Sequence, residues 1–243
     1  MRGVVLAAGF GQRLRPLTLD TPKVRLELGG RPLIHYSLEA LKQAGVSDIA
    51  VVVGYQAEKL LGPLKRTHPE VETLFNGDYD GGNALSVYAA RSFVGDEPFI
   101  VCMGDHPIGP EIVHSLMSHR NHAGHCVLCI DIDAQHPSQL NDATRVLVDA
   151  AGYITSIGKQ LKVWNAIDTG VFMMTPEVFP ALDSLIAERG SDVGITDMVR
   201  LIGESGRPFA TCDVTGMFWA DVDTLEDYRS VEILMRETYG ERI

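Results

Sequence analysis

An α/β fold with a mostly parallel, mixed sheet and helices on both faces is predicted by three features of this sequence. Apolar runs of strand length at residues 4–8, 49–53, 71–75 and 99–103 alternate with amphipathic stretches of helical period. A glycine-rich turn follows the first run directly. Beyond His125 the pattern becomes hairpin-like, so the parallel half is expected to continue into a mixed one.

The elements follow in order from local signals. Residues 32–44 read as a helix, with Pro32 at a first helical position, Ile34, Leu38 and Leu41 on one face, and Gly45 where a left-handed cap belongs. Asn83 is placed to cap a second helix running to about Phe93. Residues 145–148 and 154–157 flank the turn Asp149-Ala150-Ala151-Gly152 and read as a β-hairpin. Further strands are expected at 166–174 and 209–214, and helices near 176–188, 196–203 and 224–239. One domain over residues 1–243 is expected, in which a nucleotide-binding half, 1–122, is completed by residues 123–243. Open parallel sheets bind ligands at the carboxyl ends of their strands.

Composition narrows the function classes. A chain of 243 residues with 45% hydrophobic and 22% charged residues can bury a substantial core. Its net charge of -11 argues against nucleic acid or an anionic membrane as partner. An acidic protein that binds a polyanionic substrate must concentrate basic residues at the site. Met1-Arg2-Gly3 passes straight into a short strand, so neither a signal peptide nor a membrane span is expected, and a cytoplasmic location is. Cys102, Cys126, Cys129 and Cys212 suit reduced core thiols. Cys126 and Cys129 would point to different faces of a strand, which disfavours a metal pair. His106, His114, His119, His122 and His125 lack the helical i, i+4 pair and organised acid of a zinc site. The oligomeric state, a homo-oligomer included, is left open.

The first loop is the most informative segment. Leu6-Ala7-Ala8-Gly9-Phe10-Gly11-Gln12-Arg13-Leu14-Arg15-Pro16-Leu17-Thr18 is followed by Pro22-Lys23. Gly9 and Gly11 let backbone approach a ligand and turn N–H groups toward phosphate oxygens. Arg13, Arg15 and Lys23 supply the required positive charge. Leu14 stands where a dinucleotide fingerprint needs its third glycine, and the Gly-Lys-Ser/Thr of a P-loop is absent.

Two carboxylates complete the pattern. The strand at 99–103 ends at Gly104-Asp105-His106, and Trp219-Ala220-Asp221-Val222-Asp223-Thr224 comes much later. Mg²⁺ prefers carboxylate and phosphate oxygen, so Asp105 and Asp221 beside a triphosphate make a suitable site. Asp223 is either a further ligand or the N-cap of the last helix.

Residues 6–23 resemble the signature of the sugar-phosphate nucleotidyltransferase family, L-A-A-G-x-G-x-R-L-x-P-L-T…P-K. The resemblance implies a Rossmann-like fold of the nucleotide-diphospho-sugar transferase type, with Leu6, Ala7, Ala8, Gly9, Gly11 and Gly104 along the nucleotide. It also implies that Arg13 holds the β- and γ-phosphates, that Lys23 neutralises the α-phosphate, and that Asn83 and Ser86 contact the base. Closer similarity is to the CTP:inositol-1-phosphate cytidylyltransferases, carried by Met-Gly-Asp-His at 103–106, Gly-Asn at 82–83, Ala-Thr-Arg at 143–145, Ile-Gly-Lys at 157–159, Ile-Asp-Thr-Gly at 167–170 and Trp-Ala-Asp-Val-Asp-Thr at 219–224. By that similarity Lys159 grips the acceptor phosphate, Asp168 and Thr169 face the acceptor's hydroxyl-bearing body, and residues 123–243 form the acceptor-binding half. The chain departs from the usual Pro-Lys-Pro-Leu, reading Pro-Lys-Val-Arg-Leu at 22–26.

The implied reaction is Mg²⁺-assisted, in-line attack by an acceptor phosphate on the α-phosphorus of an NTP, with CTP favoured and pyrophosphate released. Phosphocholine, an aminoalkylphosphonate or a sugar 1-phosphate, with CTP or UTP, is the alternative substrate set. A non-catalytic regulatory subunit that binds nucleotide sugars is the alternative from another class.

Overall fold

Apolar side chains alternate along the first strand: Val4 and Leu6 pack to one side, Val5 and Ala7 to the other. Both faces of the sheet are therefore covered. In the computed structural model, which describes residues 1–119 and 124–239, β1 (Arg2–Ala7) leads through the short strands β2 (Glu27–Leu28) and β3 (Arg31–Pro32) into α1 (Leu33–Gln43). There follow β4 (Asp48–Val53), α2 (Ala57–Thr67), β5 (Glu72–Phe75), α3 (Ala84–Ala89), α4 (Arg91–Val94), β6 (Phe99–Met103) and α5 (Pro110–Ser118). The second half comprises β7 (Val127–Asp131), α6 (Pro137–Leu140), β8 (Arg145–Val148), β9 (Ile154–Gly158), β10 (Ala166–Met174), α7 (Val178–Arg189), α8 (Ile195–Glu204), β11 (Ala210–Asp213) and α9 (Leu225–Tyr239). His122 lies outside the described residues.

The main path of the sheet runs β11-β7-β10-β6-β1-β4-β5. β6, β1, β4 and β5 pair in parallel, as do β7 and β11. β10 runs antiparallel to both β6 and β7, joining the two parallel groups into one sheet. The hairpin β8–β9 extends from β10. This is the mostly parallel, mixed sheet expected from the sequence. Helices α3, α4, α7 and α8 cover one face, and α1, α2 and α5 the other.

A third cluster explains how the first loop is held. Leu14, fully buried, packs with Leu28, Leu33, Phe218 and Val222 and with Val231 and Met235 of α9. Burial of a leucine side chain contributes roughly 2 kcal/mol, enough to tie the loop to the distant end of the chain.

Two local expectations change. The helix starting near Asn83 is divided, because Ala90, with ψ near −2°, ends α3 and begins α4. Asn83 precedes α3 but its side chain does not cap it. All four cysteines are buried thiols, with Cys126 on the α7–α8 side and Cys102, Cys129 and Cys212 on the other. Among the described residues no helix is long and apolar enough to cross a membrane.

Candidate active site

Residues 8–25 wrap the carboxyl end of β1 as two short 3-10 turns, Gln12–Leu14 and Lys23–Arg25. Gly11 has φ +60°, and a Cβ there would stand 2.7 Å from Lys23 Cβ. The position demands glycine for both reasons. Thr18, itself buried, donates from Oγ1 to Gly11 O at 2.7 Å and braces the turn. A Cβ on Gly9 would meet nothing within 4 Å, so Gly9 leaves room for a ligand rather than for protein.

The turn after β6 is fixed from two sides. Gly104 N–H donates to Leu6 O at 2.9 Å. Ser37 of α1, fully buried, donates from Oγ to Met103 O at 2.8 Å and also contacts His106 O at 3.2 Å. Residues 218–220 lie antiparallel beside 107–109, with Gly109 N–H donating to Phe218 O at 2.8 Å and Ala220 N–H to Pro107 O at 3.1 Å. The buried indole of Trp219 donates to Asp131 Oδ2 at 2.9 Å. These contacts carry Asp221 and Asp223 to Asp105 across more than a hundred residues of chain.

Asp105, Asp221 and Asp223 bring carboxylate oxygens within 4.8 Å of one another. Lys23 donates to both Asp105 and Asp223, and Arg13 donates to the other oxygen of Asp223. Burial alone would lower the Lys23 pKa, but Asp105, Asp223 and Asp221 outweigh it and the ammonium is held charged well above its ordinary value. Burial alone would raise Asp105, yet Lys23 and His106 hold it down to about 2. Asp221 goes the other way. Burial pushes it up to about 6, Asp223 and Asp105 add to the rise, and His106 and Lys23 oppose it. His106 donates from Nδ1 to Thr169 O at 3.0 Å and sets Nε2 3.4 Å from Asp221 Oδ1.

The donor set fits a hard divalent cation. Asp105 Oδ1 and Asp221 Oδ1 are buried and make no hydrogen bond. A buried carboxylate oxygen without a hydrogen bond is costly, even where, as at Asp221 Oδ1, an imidazole stands 3.4 Å away, and a cation between the two would lower that cost. Asp223 has both oxygens engaged by Lys23 and Arg13, so it would bind a metal only by sharing them. Its alternative role as helix cap passes to Thr224, whose Oγ1 accepts from Asp227 N–H at 3.1 Å while Asp227 Oδ2 accepts from Thr224 N–H at 2.8 Å.

Two cavities open on this cluster. The larger, about 410 Å³, runs along Leu6, Ala7, Ala8, Gly9 and Gly11 to Asn76, Tyr79 and Ser86. The smaller, about 260 Å³, reaches Asp142, Lys159, Asp168 and Thr196. Arg13, Asn83, Met103, Asp105 and Asp223 line both.

Most of the expected residues therefore converge, and two do not. Thr169 is fully buried and its hydroxyl donates to Cys129 O at 2.9 Å, so it cannot face an acceptor. Its neighbour Asp168 does line the smaller cavity, with Oδ1 accepting from Gly170 N–H at 2.7 Å, and burial pushes its carboxyl up to about 6. Gly104 lines neither cavity. A Cβ there would stand 2.8 Å from Leu6 O, so the glycine serves packing against β1. Three residues were missed: Asp142, whose Oδ2 accepts from Arg13 at 2.5 Å and Lys159 at 2.6 Å, and the buried polar groups Ser37, which donates to Met103 O, and Asn76, which donates to Ser86 Oγ. The one available signal was Asp142 beside the Ala-Thr-Arg motif.

A mixed sheet with a glycine-lined loop at β1 and convergent carboxylates at the strand ends defines the nucleotide-diphospho-sugar transferase class of fold. The chain belongs to the nucleotidyl transferase family, whose model matches residues 2–237. It is 35% identical over 230 residues to a bifunctional IPC transferase and DIPP synthase of Rubrobacter xylanophilus, covering 94% of this chain and 50% of that protein. It is 30% identical over 236 residues to the protein of the same description from Aquifex aeolicus, covering 97% of this chain and 52% of that one. The chain thus spans about half the length of these curated relatives. Among solved structures, the inositol-1-phosphate CTP transferase from T. maritima superposes with a TM-score of 0.82 at 27% identity, covering 97% of this chain and 96% of that one.

Proposed function

We propose that this chain transfers a cytidylyl group from CTP to a small phosphorylated acceptor of the inositol 1-phosphate kind, with release of pyrophosphate. The observation that carries the reading is the shared wall of the two cavities. A nucleotide lying along the glycine loop and an acceptor lying between Lys159 and Asp168 would meet at Asp105 and Asp223. The similarity to the T. maritima enzyme supports CTP and inositol 1-phosphate as the pair. A reaction fed by CTP would suit a cytoplasmic location, and residues 1–122 and 123–243 would supply most of the nucleotide and acceptor contacts respectively.

Arg13 would leave Asp142 and Asp223 to hold the β- and γ-phosphates, and Lys23, at the buried end of the loop, would neutralise the α-phosphate. Lys159 would hold the acceptor phosphate, with Asp168 accepting from its hydroxyls. An oxygen of that phosphate forms the new bond to the α-phosphorus as the bond to the bridging oxygen of pyrophosphate breaks. The acceptor phosphate is already ionised near neutral pH, so no strong base is required. Asp105 and Asp221, with Asp223, would hold Mg²⁺, which when bound supplies charge neutralisation for the phosphates. The protein's contribution is otherwise positioning and electrostatic stabilisation.

Pyrophosphate release with four NTPs against a panel of phosphorylated alcohols, phosphocholine and sugar 1-phosphates tests this reading. CTP with inositol 1-phosphate should give the highest kcat/KM. Absence of pyrophosphate with every pair would remove the reading and favour a non-catalytic binding role.

A further inference from the structure

The larger cavity contains two polar side chains whose hydrogen-bonding direction is set by backbone N–H groups. Asn76 is 4% exposed. Asp78 N–H donates to its Oδ1 at 3.0 Å, which turns Nδ2 toward Ser86, and Nδ2 donates to Ser86 Oγ at 3.1 Å. A hydroxyl has one proton to give. With its oxygen accepting from Asn76, Ser86 is left to donate into the cavity it lines.

Asn83 obeys the same logic. Ile195 N–H, at the start of α8, donates to Asn83 Oδ1 at 2.9 Å, so the protons on Nδ2 remain for a ligand. A backbone N–H can only donate, and flipping either amide would therefore place donor against donor. Asn83, which immediately precedes α3, and Ser86 within that helix both line the larger cavity.

We propose that Asn83 and Ser86 select cytosine over uracil as a pair of donors, with Asn76 as the positioning residue that keeps Ser86 a donor. The proposal rests on the nucleotidyl-transfer reading. Cytosine presents two adjacent acceptors, O2 and N3, which two donors satisfy. Uracil places an N3–H between its carbonyl oxygens, so one donor would meet another and both would be left unpaired. Sites that hydrogen-bond a substrate discriminate strongly against analogues that leave their polar groups unmatched. On this account the 4-amino group of cytosine is not what these two side chains read.

Competition binding to the intact protein, with Mg²⁺ present, separates the outcomes. The probes are CTP, UTP, 3-deaza-CTP, which lacks the N3 acceptor, and 2-pyrimidinone riboside triphosphate, which lacks the 4-amino group but keeps O2 and N3. The pyrimidinone should bind within about threefold of CTP, and UTP and 3-deaza-CTP about tenfold or more weakly. Asn76→Asp keeps the bond from Asp78 N–H but offers Ser86 an acceptor, so Ser86 turns inward. The CTP-to-UTP ratio should then fall by about fivefold or more, an effect that general loosening of the pocket would not produce. UTP or 3-deaza-CTP binding as well as CTP, or the pyrimidinone binding as weakly as UTP, would overturn the proposal while leaving nucleotidyl transfer standing. Failure of all four triphosphates to bind would overturn both.

Discussion

The buried ammonium of Lys23 donates to Asp105, a residue 82 positions away at the end of β6. This contact ties the glycine loop to the acidic cluster and sets the charge balance of the site. Lys23→Ala would leave three neighbouring carboxylates without their central cation. It is expected to destabilise the protein by about 3 kcal/mol and to lower turnover by about a hundredfold or more. Saturating Mg²⁺ should raise the melting temperature of the variant more than that of the wild type, because the metal would replace the lost charge. Calorimetry with and without Mg²⁺ checks the stability effects, and pyrophosphate release checks the turnover.

Gly11 is in contact reach of the same lysine. Gly11→Ala forces a Cβ to within 2.7 Å of Lys23 Cβ at a backbone φ of +60°. The strain costs about 1–2 kcal/mol. Since displacement of a catalytic group by about 1 Å can cost roughly a hundredfold in rate, kcat is expected to fall far more than stability does.

The Trp219–Asp131 bond holds the strand segment that delivers Asp221. Trp219→Phe leaves a carboxylate that is 4% exposed without that donor. Stability should fall by about 1–3 kcal/mol, and the midpoint for Mn²⁺ binding, followed by electron paramagnetic resonance, should move to higher concentration.

Asp168 has a folded-state pKa raised by burial to about 6, above the ordinary carboxyl value of 3.8. Its protonated form favours the fold below the lower value, and that contribution is lost as pH rises through about 6. Asp168→Asn keeps an oxygen for Gly170 N–H and removes the titration. The variant should gain stability relative to wild type between pH 4 and pH 7, by at most about 3 kcal/mol. If Asp168 also accepts from acceptor hydroxyls, the variant should bind inositol 1-phosphate more weakly at pH 7, read by calorimetric titration.

How much of this was visible in the sequence depended on distance along the chain. The glycine loop was legible because Gly9, Gly11, Arg13 and Lys23 lie within 15 residues and each has a local reason to be there. β10 was legible as a strand, but alternation does not give direction, and its antiparallel insertion between β6 and β7 emerges only from pairing. Asn83 carried a capping signal, yet it caps Ile195 rather than its own helix, 112 residues away. Thr169 belongs to a recognisable motif, but strand alternation turns it into the core beside Cys129 while Asp168 faces the cavity. Asp142 was obscured by its setting in a turn, where an aspartate is ordinary; only the folded chain brings Arg13 and Lys159 to one of its oxygens.

The most direct test compares the wild type with Asp221→Asn in pyrophosphate release from Mg²⁺-CTP and inositol 1-phosphate at saturating substrate. The wild type should release one pyrophosphate for each cytidylyl group transferred, and the variant should be slower by about a hundredfold or more, with folding confirmed by an unchanged circular dichroism spectrum. Equal turnover by the two proteins would contradict the assignment of the acidic cluster as the centre where the two substrates meet.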